Sequence, residues 1–581
     1  MMPPMFLTAV DDGGRPLDTA AVLESSAFRQ QPAWAGDDEG YCTGTFRLDD
    51  TVRLAQELQV DPGGADVDLV LAAYRRWGDA CVQRLQGDFA FAVWNARERK
   101  MLAARDRLGV RPVFFVAQPA LRAVGATPAL LRHLPGVDTD SDPVWIAHEL
   151  LSAPPPATTS AYVGIRRLPP AHLVSIDATG SAHLVRYHDF AIDAPDEQEL
   201  DPRWLADYRA ALLAAVATRM TPTGTPQAVE LTGGLDSTSL AAAITLLDPQ
   251  GAGQLHGFCI GWHESDTSGA VEAAHHLQIP DMHVINAKRW ARKRTPEFDQ
   301  VAVTALGFPA QRNNAKLHIP IYERCQALGL RRLHSGYGGD HAVTQHARYL
   351  AAQTIARQGW RQGVRRLGLG WSDGRALAHV LRTRTGPPPE RQREGTARMP
   401  VSGLARELVG PQLNGRFELN AAVTTQELAG WMPIRLEQCT LIAATYDVEY
   451  TWPLLDAVLI QQWLATPTVW KWQQGEGRYL HRRAAATLVP AELGWQPGQR
   501  PSGGSVWRDD QRMRDQWLRV GTETAASQAR ELTQHCHPTL QPFLNQPALA
   551  RSTVMDGTGK PDRPLMSFLY RASRLNAWLS S

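Results

Sequence analysis

Over the first 190 residues, apolar positions fall in short, tightly bounded runs. "FAFAVWN" (89–95), "KMLAARD" (100–106), "VFFVA" (113–117) and "HLVSID" (172–177) alternate or cluster apolar residues between turn formers, which predicts strands. Between them, "DVDLVLAAYRRWGDACVQRL" (66–85) sets Leu69, Ala72, Ala73, Trp77 and Val82 near one face of a helix. Several strands with few helices predict a layered α+β sandwich over residues 1–190. An acidic, proline-containing stretch at 191–204 reads as a linker.

From 205 the rhythm changes. A helical run, "WLADYRAALLAAVATRM", leads into a strand (227–231), a glycine turn, a helix beginning near Ser237 and running to 247, a strand (255–261), a helix (269–277) and a strand (282–285). Strands alternating with helices predict a parallel sheet with crossover connections. Ligands of such sheets bind beyond the carboxyl ends of the strands. After about 345 the pattern is mainly helical, and "TGPPPERQREGTARMP" (385–400) reads as a mobile loop.

A length of 581 residues predicts two or three domains. A net charge of +1 supplies no electrostatic case for nucleic acid or for an anionic membrane. No apolar run is long enough to span a bilayer, and the first residues lack the basic start of a secretory signal. The six cysteines form no CxxC pair, so neither a zinc site nor a disulfide framework is expected. A cytoplasmic protein with reduced thiols is the expectation.

The chemistry concentrates in two glycine-rich turns. In "VELTGGLDSTS" (229–239), Gly233 and Gly234 let the backbone turn sharply and approach a ligand. The following helix directs its positive end and unpaired N–H groups to the same place. Thr232, Leu235, Ser237 and their neighbours complete a cradle for an anion rich in oxygens, such as pyrophosphate. Asp236 belongs there only if a divalent cation bridges it to the phosphates. The spacing is not that of a Walker A loop, and no lysine follows the glycines. "LHSGYGGDHA" (333–342) repeats the design with Gly336, Tyr337, Gly338, Gly339 and Asp340. Asp236 and Asp340 are the candidate magnesium ligands.

"TGGLDS" looks like the pyrophosphate loop of ATP pyrophosphatases, with Thr in the place of the usual Ser. Together with "SGYGGD" it resembles the asparagine synthetase family. "LQGDFAFAVWNARERKMLAARDRLGVRPVFF" (85–115) and "YVGIRRLPPAHLVSI" (162–176) resemble that family's glutamine amidotransferase domain. "VEYTWPLLD" (448–456) and "GRYLHRRAAATLVPAEL" (477–493) resemble its C-terminal helices. The resemblance implies an αββα Ntn-hydrolase-like sandwich over 1–190. It also implies a PP-loop (adenine nucleotide α-hydrolase-like) parallel-sheet domain with a helical C-terminal part over 205–581, using ATP and Mg²⁺.

Three departures shape the expected function. Amidotransferases of this class attack glutamine with an N-terminal cysteine, whereas this chain begins Met-Met-Pro-Pro and its first cysteine is Cys42. The first domain is therefore expected to be structural. Tyr337 stands where asparagine synthetases usually carry Glu and β-lactam synthetases carry Tyr. By that resemblance Glu449 is its expected partner in taking a proton from the attacking amine. The expected lysine of ring-closing relatives is missing; Arg500 is the candidate replacement, and Arg478, where relatives often have Lys, is a candidate phosphate contact.

Arginine dominates residues 345–400, with Trp360 and Trp371 interleaved. This segment reads as a dock for an acidic peptide or protein. The resemblance then favours a lasso peptide cyclase: it adenylates an Asp or Glu side chain of a precursor peptide and closes a macrolactam with the N-terminal amine. Its partners would be the precursor, a leader peptidase and a leader-binding protein. The competing readings are a β-lactam-type small-molecule synthetase, an ammonia-fed asparagine synthetase and a non-catalytic scaffold.

Overall fold

The computed structural model describes residues 5–19, 22–23, 33–191, 200–249, 251–261, 264–287, 294–311, 313–343, 399–413, 430–473, 476–486, 488–489, 524–552 and 562–581. The readings of the arginine-rich segment, of the mobile loop before residue 399 and of Arg500 lie outside these residues.

Two antiparallel sheets build the N-terminal half. The larger runs β10-β9-β5-β4-β3-β2, from Ala182–Arg186 (β10), His172–Ile176 (β9), Lys100–Arg105 (β5), Gly87–Asn95 (β4) and Gly40–Leu48 (β3) to Ala33–Asp37 (β2). The smaller runs β1-β7-β6-β8, from Leu7–Asp11 (β1), Leu121–Gly125 (β7) and Phe114–Ala117 (β6) to Arg166–Arg167 (β8). Period-two alternation separates two cores. Phe89, Phe91 and Val93 face the helices Thr51–Leu58 and Asp66–Trp77, while Ala90, Ala92 and Trp94 face the smaller sheet. This is the αββα layering of an Ntn-type amidotransferase domain. The helix expected over 66–85 ends at Trp77, because Gly78 adopts φ +57°, and a 3₁₀ turn (Gly78–Gln83) carries Val82 into the core.

The second half is a five-stranded sheet in the order β13-β12-β11-β14-β15. Its strands are Asp281–Asn286 (β13), Leu255–Gly261 (β12), Gln227–Glu230 (β11), Arg332–His334 (β14) and Glu449–Thr451 (β15). All four pairings are parallel. The expected helix at Ser237 begins earlier, at Leu235, with Gly234 at its N-cap and no side-chain cap. The 269–277 helix is likewise longer, covering Glu264–His276. No helix among the described residues is long and apolar enough to cross a membrane.

Buried ion pairs join the halves. Glu437 accepts Arg167 at 3.1 and 3.2 Å and lies 3.5 Å from Arg105. Glu449 accepts Arg111 at 2.5 Å and Arg332 at 2.5 and 3.0 Å. Arg219 spans Asp88 at 3.0 Å and Asp456 at 2.9 Å. The apolar core is continuous across the same boundary: Trp145 of the first half packs edge-on against Phe308 and Trp578 of the second.

Candidate active site

The first glycine turn follows the carboxyl end of β11, the central strand, so the sheet aims it at the crevice where ligands bind. Gly233 sits at φ +73°, and a Cβ there would fall 2.4 Å from the backbone carbon of Gly269. Only glycine fits that position. Thr232 donates its N–H to Ser237 Oγ at 3.1 Å, and their hydroxyls lie 3.0 Å apart. The turn is therefore pre-shaped. The backbone donors at the start of the 13-residue Leu235–Leu247 helix have no side-chain cap of their own.

The second glycine turn packs directly onto the first. A Cβ on Gly336 would lie 2.8 Å from the backbone nitrogen of Ser237, and one on Gly339 would lie 2.5 Å from Asp236 Cγ. Gly338, at φ +97°, is pressed against Leu455. Glycine thus follows from the backbone of the first turn at Gly336, from the Leu455 side chain and a positive φ at Gly338, and from the Asp236 carboxylate at Gly339. Asp340 lies in the turn Gly339–Val343; its side chain is outside the described residues. Asp236 points toward Arg478 at 3.6 Å and His481 at 3.9 Å. Hydroxyls, glycine backbone, a helix N-terminus and a carboxylate backed by a guanidinium make a donor set that fits a nucleotide's phosphates with a divalent cation.

His481 was not legible in the sequence. Its ring bridges Tyr208 at 2.8 Å and Ser239 at 2.9 Å, tying the Tyr479–Ala485 helix to the Leu235–Leu247 helix. Burial, with Arg478 and Arg482 nearby, pushes it down to about 3, so it is a neutral strut at physiological pH. Arg478 holds φ +64° at the start of that helix, which turns its side chain to Asp236.

A second cluster, also unforeseen, adjoins the cradle. Glu230, the last residue of β11, accepts Ser335 Oγ and Tyr450 OH at 2.6 Å each and lies 2.5 Å from His318 Nδ1. His318 Nε2 lies 3.4 Å from Arg435, whose guanidinium covers the Tyr337 ring at 3.9 Å. The available sequence signal was the lone carboxylate in the apolar run "AVEL", since a buried charge must find partners.

The expected Tyr337–Glu449 pairing is corrected by the fold. Glu449 begins β15 beside Arg332, at the amino end of β14, whereas Tyr337 lies beyond the carboxyl end of β14. Its carboxylate is engaged by Arg111 and Arg332. Parallel strands put their two ends on opposite edges of the sheet, so the two side chains serve different places. Cys42 and Cys81 are buried, and burial pushes both thiols up, Cys81 to about 12. Neither is a nucleophile.

Burial would raise Glu230 and Glu449, but their partners outweigh it: His318, Ser335 and Tyr450 for the first, Arg111 and Arg332 for the second. Both are held at about 2, below the ordinary 4.5. A depressed carboxyl stabilises the fold above its unfolded value and loses that contribution as pH falls through the folded one. Melting temperatures should therefore fall steeply between pH 4.5 and about 2. Each carboxyl contributes about 3 kcal/mol to that loss. Glu449→Gln should lower the midpoint at neutral pH and flatten the acid limb; an unchanged limb would refute the assignment.

The model named "Asparagine synthase" matches residues 207–580. The chain belongs to the asparagine synthase family. A second model of the family's architecture, "Glutamine amidotransferase domain", matches residues 53–188. Glutamine-hydrolyzing asparagine synthetase 3 of Bacillus subtilis (strain 168) is 31% identical over 206 residues, covering 35% of this chain and 33% of that protein. A putative glutamine-hydrolyzing asparagine synthetase of Mycobacterium bovis is 31% identical over 210 residues, covering 34% and 32%. Asparagine synthetase 1 of Bacillus subtilis aligns more widely, 21% identical over 74% of this chain and 70% of its own length. The chain thus spans about a third of the length of the first two relatives.

Proposed function

We propose that this family member is an ATP-dependent amide-forming ligase that activates a carboxylate as its adenylate and passes the acyl group to an amine. The observation that carries this reading is the closure of the two glycine turns over Asp236, with Gly336 against the backbone of the Leu235–Leu247 helix and Gly339 against the Asp236 carboxylate. ATP would lie in the cradle of Thr232, Gly233, Gly234, Leu235 and Ser237. Arg478 would take a phosphate. Asp236 and Asp340 would hold Mg²⁺, which would screen phosphate charge as the adenylate forms.

We further propose that donor and acceptor belong to one peptide: an Asp or Glu side chain is activated and the peptide's N-terminal amine closes a macrolactam, as in lasso peptide cyclases. Two features support this. Tyr337 occupies the position where ring-closing relatives carry Tyr, and Cys42 and Cys81, the cysteines of the first half, are buried, with burial pushing both thiols up. A leader peptidase would expose the amine, and a leader-binding protein would deliver the precursor. The names of the relatives favour a second reading, in which free ammonia or a small amine is the acceptor.

Mass spectrometry of a leader-free peptide incubated with the protein, ATP and Mg²⁺ separates these. The peptide carries an N-terminal Gly and an acidic residue several positions on. AMP formation with loss of one water from the peptide is the expected result. AMP without loss of water, and amide formed when ammonia is added, would replace ring closure by the second reading. No AMP with any peptide or small carboxylate would overturn the ligase itself.

A further inference from the structure

The Tyr337 ring faces a cation, where the resemblance to β-lactam synthetases implies a carboxylate. Arg435 Cζ lies 3.9 Å from the ring centroid. Arg435 Nη2 approaches His318 Nε2 at 3.4 Å, and its buried Nε has no hydrogen-bond partner among the described residues. Glu230, in the same cluster, is committed to His318, Ser335 and Tyr450. Arg435 lies in the helix Trp431–Ala444. Glu437, two residues on and so about 200° round the helix, is gripped by Arg167 and Arg105 of the first half. The helix is thus clamped by one face while its other face lays a guanidinium on Tyr337.

We propose that Arg435 is a positioning residue that stabilises the phenolate of Tyr337, so that Tyr337 acts as the base for the attacking amine. This rests on the amide-forming reading above. A cation on a ring face is attracted to its π-system, and it favours the ionised phenol over the neutral one. Burial works against the Arg435 charge, but Cys439, Tyr450, Tyr337 and Glu230 outweigh it, so the cation persists. The His341 ring stands 5.1 Å from that of Tyr337, Ser335 Oγ accepts the Tyr337 N–H at 3.2 Å, and Glu230 and His318 lie behind Ser335 and Arg435. Asp236 lies beneath Gly339, two residues along.

The step balances. The phenolate takes one proton from the ammonium and becomes neutral Tyr337. The freed nitrogen lone pair forms the C–N bond to the acyl carbon. The bond from that carbon to the phosphate oxygen breaks, its electron pair leaves with AMP, and the second nitrogen proton passes to the departing phosphate.

The test needs no turnover. Ultraviolet pH titration of the full-length protein, with the Tyr337→Phe curve subtracted, isolates the Tyr337 phenolate band. Its midpoint is expected at least about one unit below the ordinary value near 10. In Arg435→Gln, with the matching Tyr337→Phe double variant subtracted, it should return to about 10 or above. Arg435→Lys, which keeps the charge, should hold it low. A wild-type midpoint at the ordinary value, or one that Arg435→Gln leaves in place, would overturn the proposal. AMP formation is assayed in parallel. A low, Arg435-dependent midpoint in a protein that makes no AMP would sustain the Arg435–Tyr337 coupling and sink only the ligase reading.

Discussion

Asp236→Ala is expected to cut AMP formation by at least about a hundredfold, the scale of losing one group that stabilises charge in a closed site. Asp236 lies in the first turn of its helix, beside the cradle, with Gly339 against its carboxylate. A negative charge among phosphate donors repels the ligand unless a cation intervenes, which is the ground for proposing Asp236 as a metal ligand. Arg478, at 3.6 Å, offsets the charge until then. The fold should tolerate the change, because His481 remains anchored by Tyr208 and Ser239. Chromatographic assay of AMP, with circular dichroism to check folding, decides the matter. A folded variant retaining more than about a tenth of wild-type activity would remove Asp236 from the metal site.

Glu437→Ala should produce the largest loss of stability, about 3–5 kcal/mol, the cost of stripping one partner from a buried ion pair. Glu437 is fully buried and faces Arg167 and Arg105, which are buried as well. Arg105 also donates to the carbonyls of Arg111, Leu168 and Gly109 at 2.8 to 2.9 Å, so it is not free to swing to solvent. Removing Glu437 leaves two guanidiniums in a closed interior. We expect the melting midpoint to fall by at least about 5 °C, whereas exposed pairs such as Arg186–Asp189 should be nearly silent on mutation. A midpoint within a degree or so of wild type would mean that the two halves are not held together through this contact. Because Arg435 shares the helix, Glu437→Ala should also raise the Tyr337 phenolate midpoint.

Several features were readable along the chain because they depend on neighbours in sequence. The alternation in "FAFAVWN" determines that Phe89, Phe91 and Val93 face one core and Ala90, Ala92 and Trp94 the other. The glycine pair at 233–234, followed at once by a helix, marks a ligand-facing turn through backbone geometry alone. The same holds for the alternation of strands and helices that specifies a parallel sheet. Helix boundaries were less legible, since Gly78 ends one helix and Gly234 starts another earlier than apolar spacing indicates.

Tertiary structure alone decided who meets whom. Glu449 was the expected partner of Tyr337 by family resemblance, and the chain offers no information about which edge of the sheet a strand presents. Parallel pairing put Glu449 opposite Arg332 and left it to Arg111, which is 338 positions away in sequence. Arg435 over Tyr337 and His481 between Tyr208 and Ser239 arise in the same way, from elements far apart in sequence brought together by a common core. Periodicity and turn chemistry are local and can be read residue by residue. The placement of a charge is decided by long-range burial, which makes each buried ion seek its counterpart wherever packing puts one within reach.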